Sequence, residues 1–415
     1  MPPGPDRDSG KLAQTMRSGA FPKIPAIPVW APAAGSGFQR GRGAGRVGID
    51  LGDIVVRKPA AMADYAGARI AFDGWNILYQ FLSSIRAPDG TPLKDAEGRI
   101  TSHLAGVLYR TANLVEAGIR PVFVFDGAPH PLKLETLAGR ARRKEQAQRE
   151  LEAEQSALAA RVEAGEELEA QDYQVARSKA QQTSRLTHPM VEQASTLLRL
   201  LGIPVLQAPG EGEAQAAWMC QEGLVAAVCS QDYDALLFGT PRLVRNLSVV
   251  GRRKLPGKQV WVDVQPEEIG LQASLDGSGL TRQQLIDVAL LVGTDFHPGI
   301  QGIGPKKALA LVRKEGSLEA LIDRLAADPS SAATAAERSI LEQHEALAER
   351  DTVRRIFLEP AHNPVSAAEL EAKAADGPAV RRLMVESHGF APERVDAALE
   401  RYGAARKRSG QKTLF

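Results

Sequence analysis

Acidic side chains stand directly after several short apolar runs of this sequence, an arrangement typical of a divalent-metal site. Residues 70–72, 121–125, 203–206 and 226–229 have the length and composition of buried strands. The acids that follow these runs, together with one that follows the apolar run 289–292, are Asp73, Asp126, Glu211, Glu213, Asp232, Asp234 and Asp295. Because ligands of open α/β sheets bind beyond the carboxyl ends of the strands, we expect these carboxylates to converge in one crevice.

Convergent carboxylates require a compensating cation, because each ionised carboxylate raises the pKa of its neighbours. A ligand set of oxygens alone, without cysteine or histidine, favours Mg²⁺ or Mn²⁺ over zinc. Two such ions about 3.5–4 Å apart can activate a water and stabilise the leaving oxygen in phosphodiester hydrolysis. The alternative for any one of these acids is a helix cap or a turn residue, since an acid after a strand commonly has that role.

Lys133 and Arg140 are candidates for cations at this site. They lie seven residues apart, which is two turns of a helix, so both side chains leave the segment after Asp126 in the same direction. In that position they could contact a scissile phosphate and neutralise the charge that develops on it. The alternative is that both are solvated charges on a helix surface.

The segment Gly302–Lys307 has the form of a helix–hairpin–helix turn. Gly302 and Gly304 allow backbone N–H groups to approach a phosphate, and the helix start adds positive charge together with Lys306 and Lys307. Such contacts hold a nucleic-acid duplex without reading its bases. A plain Gly-Pro turn is the alternative.

The elements that must position these side chains indicate an α/β fold. Short apolar strands alternate with longer helical segments, which predicts a doubly wound, mostly parallel central sheet with helices on both faces. Residues 132–201 are helical in pattern, highly charged and without a strand signal, so they form either a solvated helical hairpin or a moving element over the site. A second helical region begins near residue 281, and Ala- and Glu-rich helices follow residue 330.

Composition is that of an ordinary globular protein, with 415 residues, 44% hydrophobic and 24% charged. Lys and Arg number 51 against 50 Asp and Glu, so a nucleic-acid partner would depend on local basic strips such as residues 140–144 and 252–254. No apolar run approaches the roughly 20 residues that cross a bilayer, so we expect no membrane association. Cys220 and Cys229 form no C-x-x-C pattern and are expected to be buried free thiols.

Ordered motifs along the chain resemble those of the structure-specific flap endonucleases in their archaeal and eukaryotic form. The resemblance runs from about Val47 to the C-terminus and is weakest in the charged helical insertion and in residues 330–400. The motifs are Phe72-Asp73-Gly74, Tyr79-Gln80-Phe81, Thr101-Ser102-His103-Leu104, Val124-Phe125-Asp126-Gly127, Ala208-Pro209-Gly210-Glu211-Gly212-Glu213-Ala214, Ser230-Gln231-Asp232-Tyr233-Asp234, Val292-Gly293-Thr294-Asp295 and Gly302-Ile303-Gly304-Pro305-Lys306.

The resemblance implies that the seven acids hold two Mg²⁺ ions, which Mn²⁺ can replace. It implies further that Lys133 and Arg140 lie at the base of a helical arch through which a single-stranded 5′ flap passes, where they contribute to catalysis. Tyr79 matches the family's stacking residue beside the cleaved bond, a role that suits an aromatic ring because base stacking tolerates any sequence. A core tyrosine is the alternative. Gly48 matches a glycine near the substrate path, and the Gly302–Lys307 turn is expected to grip duplex DNA with a bound K⁺.

On this resemblance the chain is expected to be a metal-dependent 5′-flap endonuclease and 5′-to-3′ exonuclease that acts on branched DNA in Okazaki-fragment maturation and repair. We expect a monomer, located with the nucleoid in the cytoplasm, or in the nucleus of a eukaryote. Two rival functions are a ribonuclease of the wider nuclease fold and a non-catalytic, clamp-associated DNA-binding protein. The second is disfavoured because none of the family's acids is missing.

The predicted domain organisation follows from the same patterns. Residues 1–46 contain seven prolines and eight glycines, so we expect a disordered extension. The remaining predicted parts are a nuclease core at 47–330, with the arch at 128–185 and the DNA-binding turn region at 281–320, a C-terminal helical region at 331–406 and a tail at 407–415. Since the family begins with Met-Gly and the matching segment starts at Val47, we hypothesise that Val47 is an alternative GTG start codon and that residues 1–46 are not made.

The tail departs from the family pattern. Family members end with a sliding-clamp-binding box, in which a glutamine is followed three places later by an aliphatic residue and then by two aromatics. Gln411 and Leu414 fit this box, but a single aromatic residue, Phe415, follows the aliphatic one directly. Clamp binding through Gln411, Leu414 and Phe415 is therefore a hypothesis, and a frayed terminus is the alternative.

Overall fold

The computed structural model describes residues 51–87, 91–134, 149, 153, 186–248, 251–254 and 261–411. All of these belong to the unit Ala44–Phe415, one of two into which the chain divides. Outside the described residues lie the predicted extension 1–46, Gly48, most of the predicted arch including Arg140, and the pair Leu414 and Phe415. What the sequence predicts for those residues stays a prediction.

Strands in the described ranges form one large sheet and one separate hairpin. They are β1 (Arg57–Pro59), β2 (Arg69–Asp73), β3 (Arg120–Phe125), β4 (Val205–Gln207), β5 (Ala227–Cys229), β6 (Arg242–Arg245), β7 (Gly251–Lys254), β8 (Trp261–Val264) and β9 (Glu267–Gly270). The sheet has the order β1-β9-β6-β5-β2-β3-β4, and β7 pairs with β8 in the hairpin. Strands β6, β5, β2, β3 and β4 run parallel, whereas β9 is antiparallel to both β6 and β1. The prediction of a mostly parallel sheet is confirmed.

Helices connect the strands and make up the C-terminal part. The α-helices are α1 (Gly74–Ser84), α2 (Ser102–Ala105), α3 (Thr111–Glu116), α4 (His188–Leu200), α5 (Gly212–Gln221), α6 (Asp234–Leu237), α7 (Leu271–Ser278), α8 (Arg282–Val292), α9 (Pro305–Glu315), α10 (Leu318–Ala327), α11 (Ala335–Glu342), α12 (Arg350–Leu358), α13 (Gly377–Arg381) and α14 (Pro392–Gln411). A π-helical turn, Gly106–Arg110, joins α2 to α3.

Alternate residues of the central strands pack into two different cores, one on each face of the sheet. In β3, Phe123 and Phe125 enter one core and Val122 and Val124 enter the other, and all four are buried. Helices α1, α4 and α14 cover the phenylalanine core, and α5 and α8 cover the valine core. Burial on both faces explains why these strands appear in the sequence as continuous apolar runs. The predicted placement of helices on both faces is confirmed.

The strands that precede the acids are neighbours in the sheet, in the order β5-β2-β3-β4. From β2 the chain proceeds through β3 to β4 on one side and then returns to place β5 on the other side of β2. In an open α/β sheet, such a reversal opens a crevice at the carboxyl ends of the strands. Because these strands are parallel, the segments that follow them all begin at this one edge.

The predicted helix–hairpin–helix turn joins α8 to α9, two helices in contact with each other. Gly302 has a φ of +88°, a conformation that a β-carbon disfavours, and Gly304 is the residue before α9. Pro305 occupies the first position of α9, where a backbone N–H would have no partner within the helix. Lys306 and Lys307 are exposed, and the Lys307 ammonium donates to the Gly302 carbonyl at 2.9 Å. This geometry suits both a DNA-binding turn and a plain Gly-Pro turn.

The C-terminal helix corrects one predicted boundary. Helix α14 continues to Gln411, so the boundary predicted between helices and tail at residues 406 and 407 falls inside a helix. Its last turns contain Arg406, Lys407 and Arg408, and basic residues near a helix C-terminus are favoured by the helix dipole. Gln411 is therefore the last residue of a helix and not part of an extended tail.

Cys220 and Cys229 are both buried and free, as predicted. Burial raises the pKa of both thiols, which keeps them protonated and unreactive at neutral pH. In the ranges that the structure describes, no helix combines the length and the apolar character that a membrane span needs.

Candidate active site

Asp73, at the end of β2, has two contacts of different kinds. One carboxylate oxygen accepts a hydrogen bond from the backbone N–H of Asn76 at 3.1 Å and so caps α1. The other oxygen lies 3.4 Å from the hydroxyl of Ser230, which follows β5. The helix-cap alternative is thus correct for Asp73, and the same side chain also reaches across the crevice.

Asn76 links the two sides of the crevice. Its side-chain amide donates to Asp232 at 2.9 Å, and its side-chain carbonyl accepts from the backbone N–H of Gln231 at 3.1 Å. Asn76 belongs to α1, which follows β2, whereas Gln231 and Asp232 follow β5. These two hydrogen bonds fix the loop after β5 against α1 and hold the Asp232 carboxylate in one orientation.

Ser230 holds a further acid in the same way. Its hydroxyl donates to Glu213 Oε1 at 2.7 Å, and its oxygen accepts from the backbone N–H of Asp232 at 3.2 Å. Glu213 lies in the first turn of α5, so this contact joins α5 to the loop after β5. Asp234, the first residue of α6, is buried beside them.

Asp126 is held by the start of α5. Its Oδ1 accepts a hydrogen bond at 2.7 Å from the N–H of Gly212, the first residue of that helix. Such an N–H has no partner within the helix and lies at the positive end of the helix dipole, so it favours an ionised carboxylate. The side-chain amide of Gln207 donates to the backbone carbonyl of Asp126. Glu211, directly before α5, lies close enough to Asp126 for the two carboxylates to repel each other.

Lys133 places its ammonium among the acids. It forms an ion pair with Glu211 and lies 3.6 Å from Asp295, a residue of the loop after helix α8. The ammonium also stands 5.9 Å from the centre of the Phe296 ring. The Lys133 side chain is only 12% exposed. The alternative of a solvated helix charge therefore does not apply to Lys133.

Burial and mutual repulsion raise the pKa of these carboxylates. For Asp73, desolvation and then the Asp126 carboxylate raise the pKa to about 7. Desolvation and then Asp73 raise the pKa of Glu213 well above its usual value. Desolvation and then Asp234 do the same for the pKa of Asp232. The acids therefore lie close enough to disfavour one another's ionised form, and the convergence expected from the strand ends is present.

The donor set fits hard divalent cations. All seven acids offer oxygen, the ligand atom that Mg²⁺ and Mn²⁺ prefer. Desolvation raises the pKa of Asp126 and of Glu211, and Lys133 opposes both rises, but one ammonium cannot balance the charge of seven carboxylates. Within the described ranges no three acidic, imidazole or thiol groups already stand as the ligands of a metal ion would. Lys133, Asn76 and Ser230 engage several of the carboxylate oxygens. Bound dications would relieve the repulsion that remains between the carboxylates.

Comparison with known proteins assigns the family. The XPG N-terminal domain matches residues 51–147, and the XPG I-region matches residues 202–295. A flap endonuclease 1 of Methanothrix thermoacetophila is 44% identical over 368 residues, which cover 89% of this chain and 99% of that relative. The chain belongs to the flap endonuclease family. A flap endonuclease 1 of Archaeoglobus fulgidus is likewise 44% identical over 369 residues, covering 89% of this chain and 99% of the relative.

A solved structure of the flap endonuclease family supports the same assignment. The flap endonuclease-1 of Methanococcus jannaschii has a TM-score of 0.62 and 35% sequence identity to this chain, covering 86% of this chain and 98% of that one. The resemblance seen in the motifs and the predicted fold class are confirmed. The two matched XPG regions contain all seven acids and Lys133.

The other residues predicted from the flap endonuclease family have mixed outcomes. Tyr79 lies half-buried on α1 and packs against the core beneath it, so the core alternative accounts for part of the side chain. Its stacking role stays a prediction. Arg140 and Gly48, like Leu414 and Phe415, lie outside the described residues. The structure thus brings together the acids and Lys133 and leaves the remaining roles as predictions.

Asn76 and Ser230 are polar residues of this flap endonuclease crevice to which the sequence assigned no role, although Ser230 begins one of the family motifs. Asn76 stands three residues after Asp73, and Ser230 stands two residues before Asp232. A residue three places after a helix cap has its N–H next to the capping side chain, so a polar side chain there can reach the same site. That spacing was a usable signal for Asn76, whereas the contact of Ser230 with Asp73 depends on the pairing of β2 with β5.

Proposed function

We propose that this flap endonuclease hydrolyses DNA phosphodiesters with two Mg²⁺ ions held in the crevice at the ends of β2, β3, β4 and β5. The observation that supports this best is the convergence of seven buried or half-buried carboxylates in one crevice, with the Lys133 ammonium beside Glu211 and Asp295. The residues that would hold the ions are Asp73, Asp126, Glu211, Glu213, Asp232, Asp234 and Asp295. Mn²⁺ shares the preference for oxygen ligands and is expected to substitute for Mg²⁺.

The bound ions would supply an activated water and stabilisation of the leaving oxygen. The task of the surrounding side chains is to hold the ligands still. Asn76 orients Asp232, and Ser230 orients Glu213, through hydrogen bonds that already exist in this structure. Fixed ligands need little reorganisation during the reaction, which is how such outer partners contribute to rate.

Lys133 would act on the substrate. Its ammonium is shared between Glu211 and Asp295 in this structure, and it lies at the start of the segment predicted to be the arch. With those two acids engaged by cations, the Lys133 ammonium would contact the scissile phosphate and stabilise the charge that develops there. Arg140 would act beside it from the arch.

Branched DNA carrying a 5′ flap is the proposed substrate, with 5′-to-3′ exonuclease activity on recessed ends. The exposed turn at Gly302, Gly304, Lys306 and Lys307 would hold the duplex through its phosphates, with a K⁺ ion at the turn. Tyr79 would stack on the nucleotide beside the cleaved bond. We place this activity in Okazaki-fragment maturation and repair, with the enzyme a monomer in the nucleoid-bearing cytoplasm, or in the nucleus if the source is eukaryotic.

An end-labelled double-flap substrate tests the proposal. The full chain is expected to release the 5′ flap in Mg²⁺ or Mn²⁺ and to give no product in EDTA, because the carboxylates alone cannot activate water. A matched substrate with an RNA flap measures the ribonuclease alternative. Tight binding of the branch without any Mg²⁺-dependent product would instead support a non-catalytic binding protein and refute the proposed activity.

The C-terminal residues are proposed to bind the sliding clamp, although the box is shortened. Deleting residues 411–415 is expected to abolish stimulation of cleavage by the clamp and to leave cleavage without the clamp unchanged, because the deletion begins at the last residue of α14 and removes none of the proposed metal ligands. The measurement is flap cleavage with and without the clamp for both proteins. An unchanged response to the clamp would remove these residues from the interface.

A further inference from the structure

An irregular segment, residues 359–376, which we call the strap, connects α12 to α13 and lies against the elements that carry the acids. The ring of His362 stacks on Trp218 of α5, with 4.6 Å between ring centres. Further along, the N–H of Lys373 donates to the carbonyl of Gly202 at 2.7 Å. A β-carbon at Gly202 would stand only 2.1 Å from that same strap residue, so the backbones meet where no side chain fits. The strap is therefore packed closely against α5 and against the turn that precedes β4.

Gln215 of α5 forms the most specific contact with the strap. Its side-chain carbonyl accepts from the backbone N–H of Asn363 at 2.7 Å, and its amide donates to the Asn363 carbonyl at 2.9 Å. Gln215 is 1% exposed. A buried amide is costly unless both its donor and its acceptor are paired, and here a single strap residue pairs both. An apolar side chain would occupy this buried position without the cost of desolvating an amide, so the glutamine indicates that its hydrogen bonds to the strap are needed.

Asn363 also contacts the end of β4, which leads into the loop that carries Glu211. The side-chain amide of Asn363 donates at 3.3 Å to the carbonyl of Gln207, the last residue of β4. Gln207 in turn donates its own amide to the backbone carbonyl of Asp126. One residue of the strap is thus connected to the loop after β3 through Gln207 and to the start of α5 through Gln215.

The start of α5 is where a small displacement matters. The N–H of Gln215 donates to the carbonyl of Glu211, so these two residues belong to the same helical turn, and Glu213 lies between them. A shift of that turn would move two proposed ligands relative to Asp126. Displacements of about 1 Å at catalytic groups can lower a rate by about 100-fold.

We propose that Gln215 is a positioning residue, which through its junction with Asn363 of the strap holds the carboxylates of Glu211 and Glu213 in register with Asp126. The strap follows α12, so the C-terminal helical region contributes to the geometry of the acidic crevice although it supplies none of the proposed ligands. This inference rests on the proposed metal-dependent cleavage.

The test is Gln215→Met, which keeps the length of the side chain and removes both hydrogen bonds. Because Met fills a volume similar to that of Gln and the strap residue Asn363 is exposed, the variant is expected to fold. Single-turnover cleavage at saturating flap DNA is expected to fall about 10-fold, with a similar rise in the Mg²⁺ concentration that gives half the maximal rate, since outer partners of metal ligands have effects of about 10–100-fold. The DNA concentration at half-saturation is expected to stay unchanged.

The matched control is Glu371→Gln, which breaks a different contact of the strap. Glu371 pairs with Arg69 at the start of β2, the end of that strand opposite Asp73. This variant is expected to keep the wild-type rate and the wild-type Mg²⁺ requirement. A folded Gln215→Met protein with the wild-type cleavage rate and the wild-type Mg²⁺ requirement would overturn the proposal and leave Gln215 a purely structural residue.

A second variant decides the matter should Gln215→Met fail to fold. Gln215→Asn keeps an amide at this position but is one methylene shorter, so it cannot hold both backbone groups of Asn363 at hydrogen-bond distance. A slower cleavage step with unchanged DNA half-saturation supports the proposal, and a folded Gln215→Asn protein with the wild-type rate overturns it. Absence of Mg²⁺-dependent cleavage in the wild type itself would refute the proposed function instead, so the two failures are distinguishable.

Discussion

Asp232→Asn is expected to bind flap DNA as tightly as the wild type and to cleave it more than about 100-fold more slowly. Loss of a metal ligand lowers the rate more than loss of a residue that hydrogen-bonds to the ligand, for which effects of about 10–100-fold are usual. A neutral amide is a poor ligand for Mg²⁺. Its carbonyl oxygen can still accept the hydrogen bond from Asn76 that Asp232 accepts at 2.9 Å, so the loop after β5 keeps its place. The measurement is single-turnover cleavage of an end-labelled flap, beside a binding titration in EDTA.

The control for this substitution is Asp323→Asn on the exposed side of α10. It makes the same chemical change away from the crevice, and both binding and cleavage are expected to equal those of the wild type. Wild-type turnover by Asp232→Asn would remove Asp232 from the ligand set. Loss of binding together with a lower melting temperature would show that Asp232 has a structural role in the loop.

The fold was predictable from the sequence because its central strands are buried on both faces. A strand such as β3, whose alternate residues enter two cores, must be apolar throughout, and that continuity is visible without a structure. The short strands β1 and β9 were not predictable in this way. Strand β1 forms one edge of the sheet, and β9 is its neighbour. The residues of β1 are all exposed, so their sequence does not need the apolar pattern of a buried strand.

The acids of the site were predictable for a related reason. Parallel strands place their carboxyl ends at one edge, so an acid after each strand end converges with the others without any knowledge of the loops. Asp295 is the exception, because it follows helix α8 and not a strand. Their hydrogen-bond partners were not predictable. Ser230 lies near Asp73 only because β5 pairs with β2, and strand order is a long-range property that no local pattern records.

Lys133 marks the limit of local sequence reasoning. Its spacing from Arg140 predicts a shared direction, but a solvated surface pair has the same spacing. Only the tertiary structure shows its side chain to be 12% exposed between Glu211 and Asp295. The same limit applies to Gln215, whose partner is 148 residues away in the chain. In both cases the signal is burial of a polar group, which sequence spacing cannot report.

Lys133→Met is expected to lower the cleavage rate by about 100-fold or more, the usual effect of removing one group that stabilises charge in a transition state. The same substitution removes the cation that opposes the desolvation of Asp126 and Glu211. Because the pKa of each carboxylate then rises further, a higher pH is needed to ionise it. The acidic limb of the pH–rate profile is therefore expected to move to higher pH.

That shift of the profile separates two roles for Lys133. If the ammonium acts only on the phosphate, Lys133→Met lowers the rate equally at every pH. If the ammonium also lowers the pKa of Asp126 and Glu211, the acidic limb of the profile moves to higher pH. Lys133 itself does not titrate in the assay range, because its acidic neighbours outweigh desolvation and raise its pKa above the usual value. Lys133→Arg keeps the positive charge, so it is expected to restore the acidic limb even where the geometry of the longer side chain leaves the rate low. A limb that stays in place for Lys133→Met would show that Mg²⁺ alone sets the ionisation of the acids.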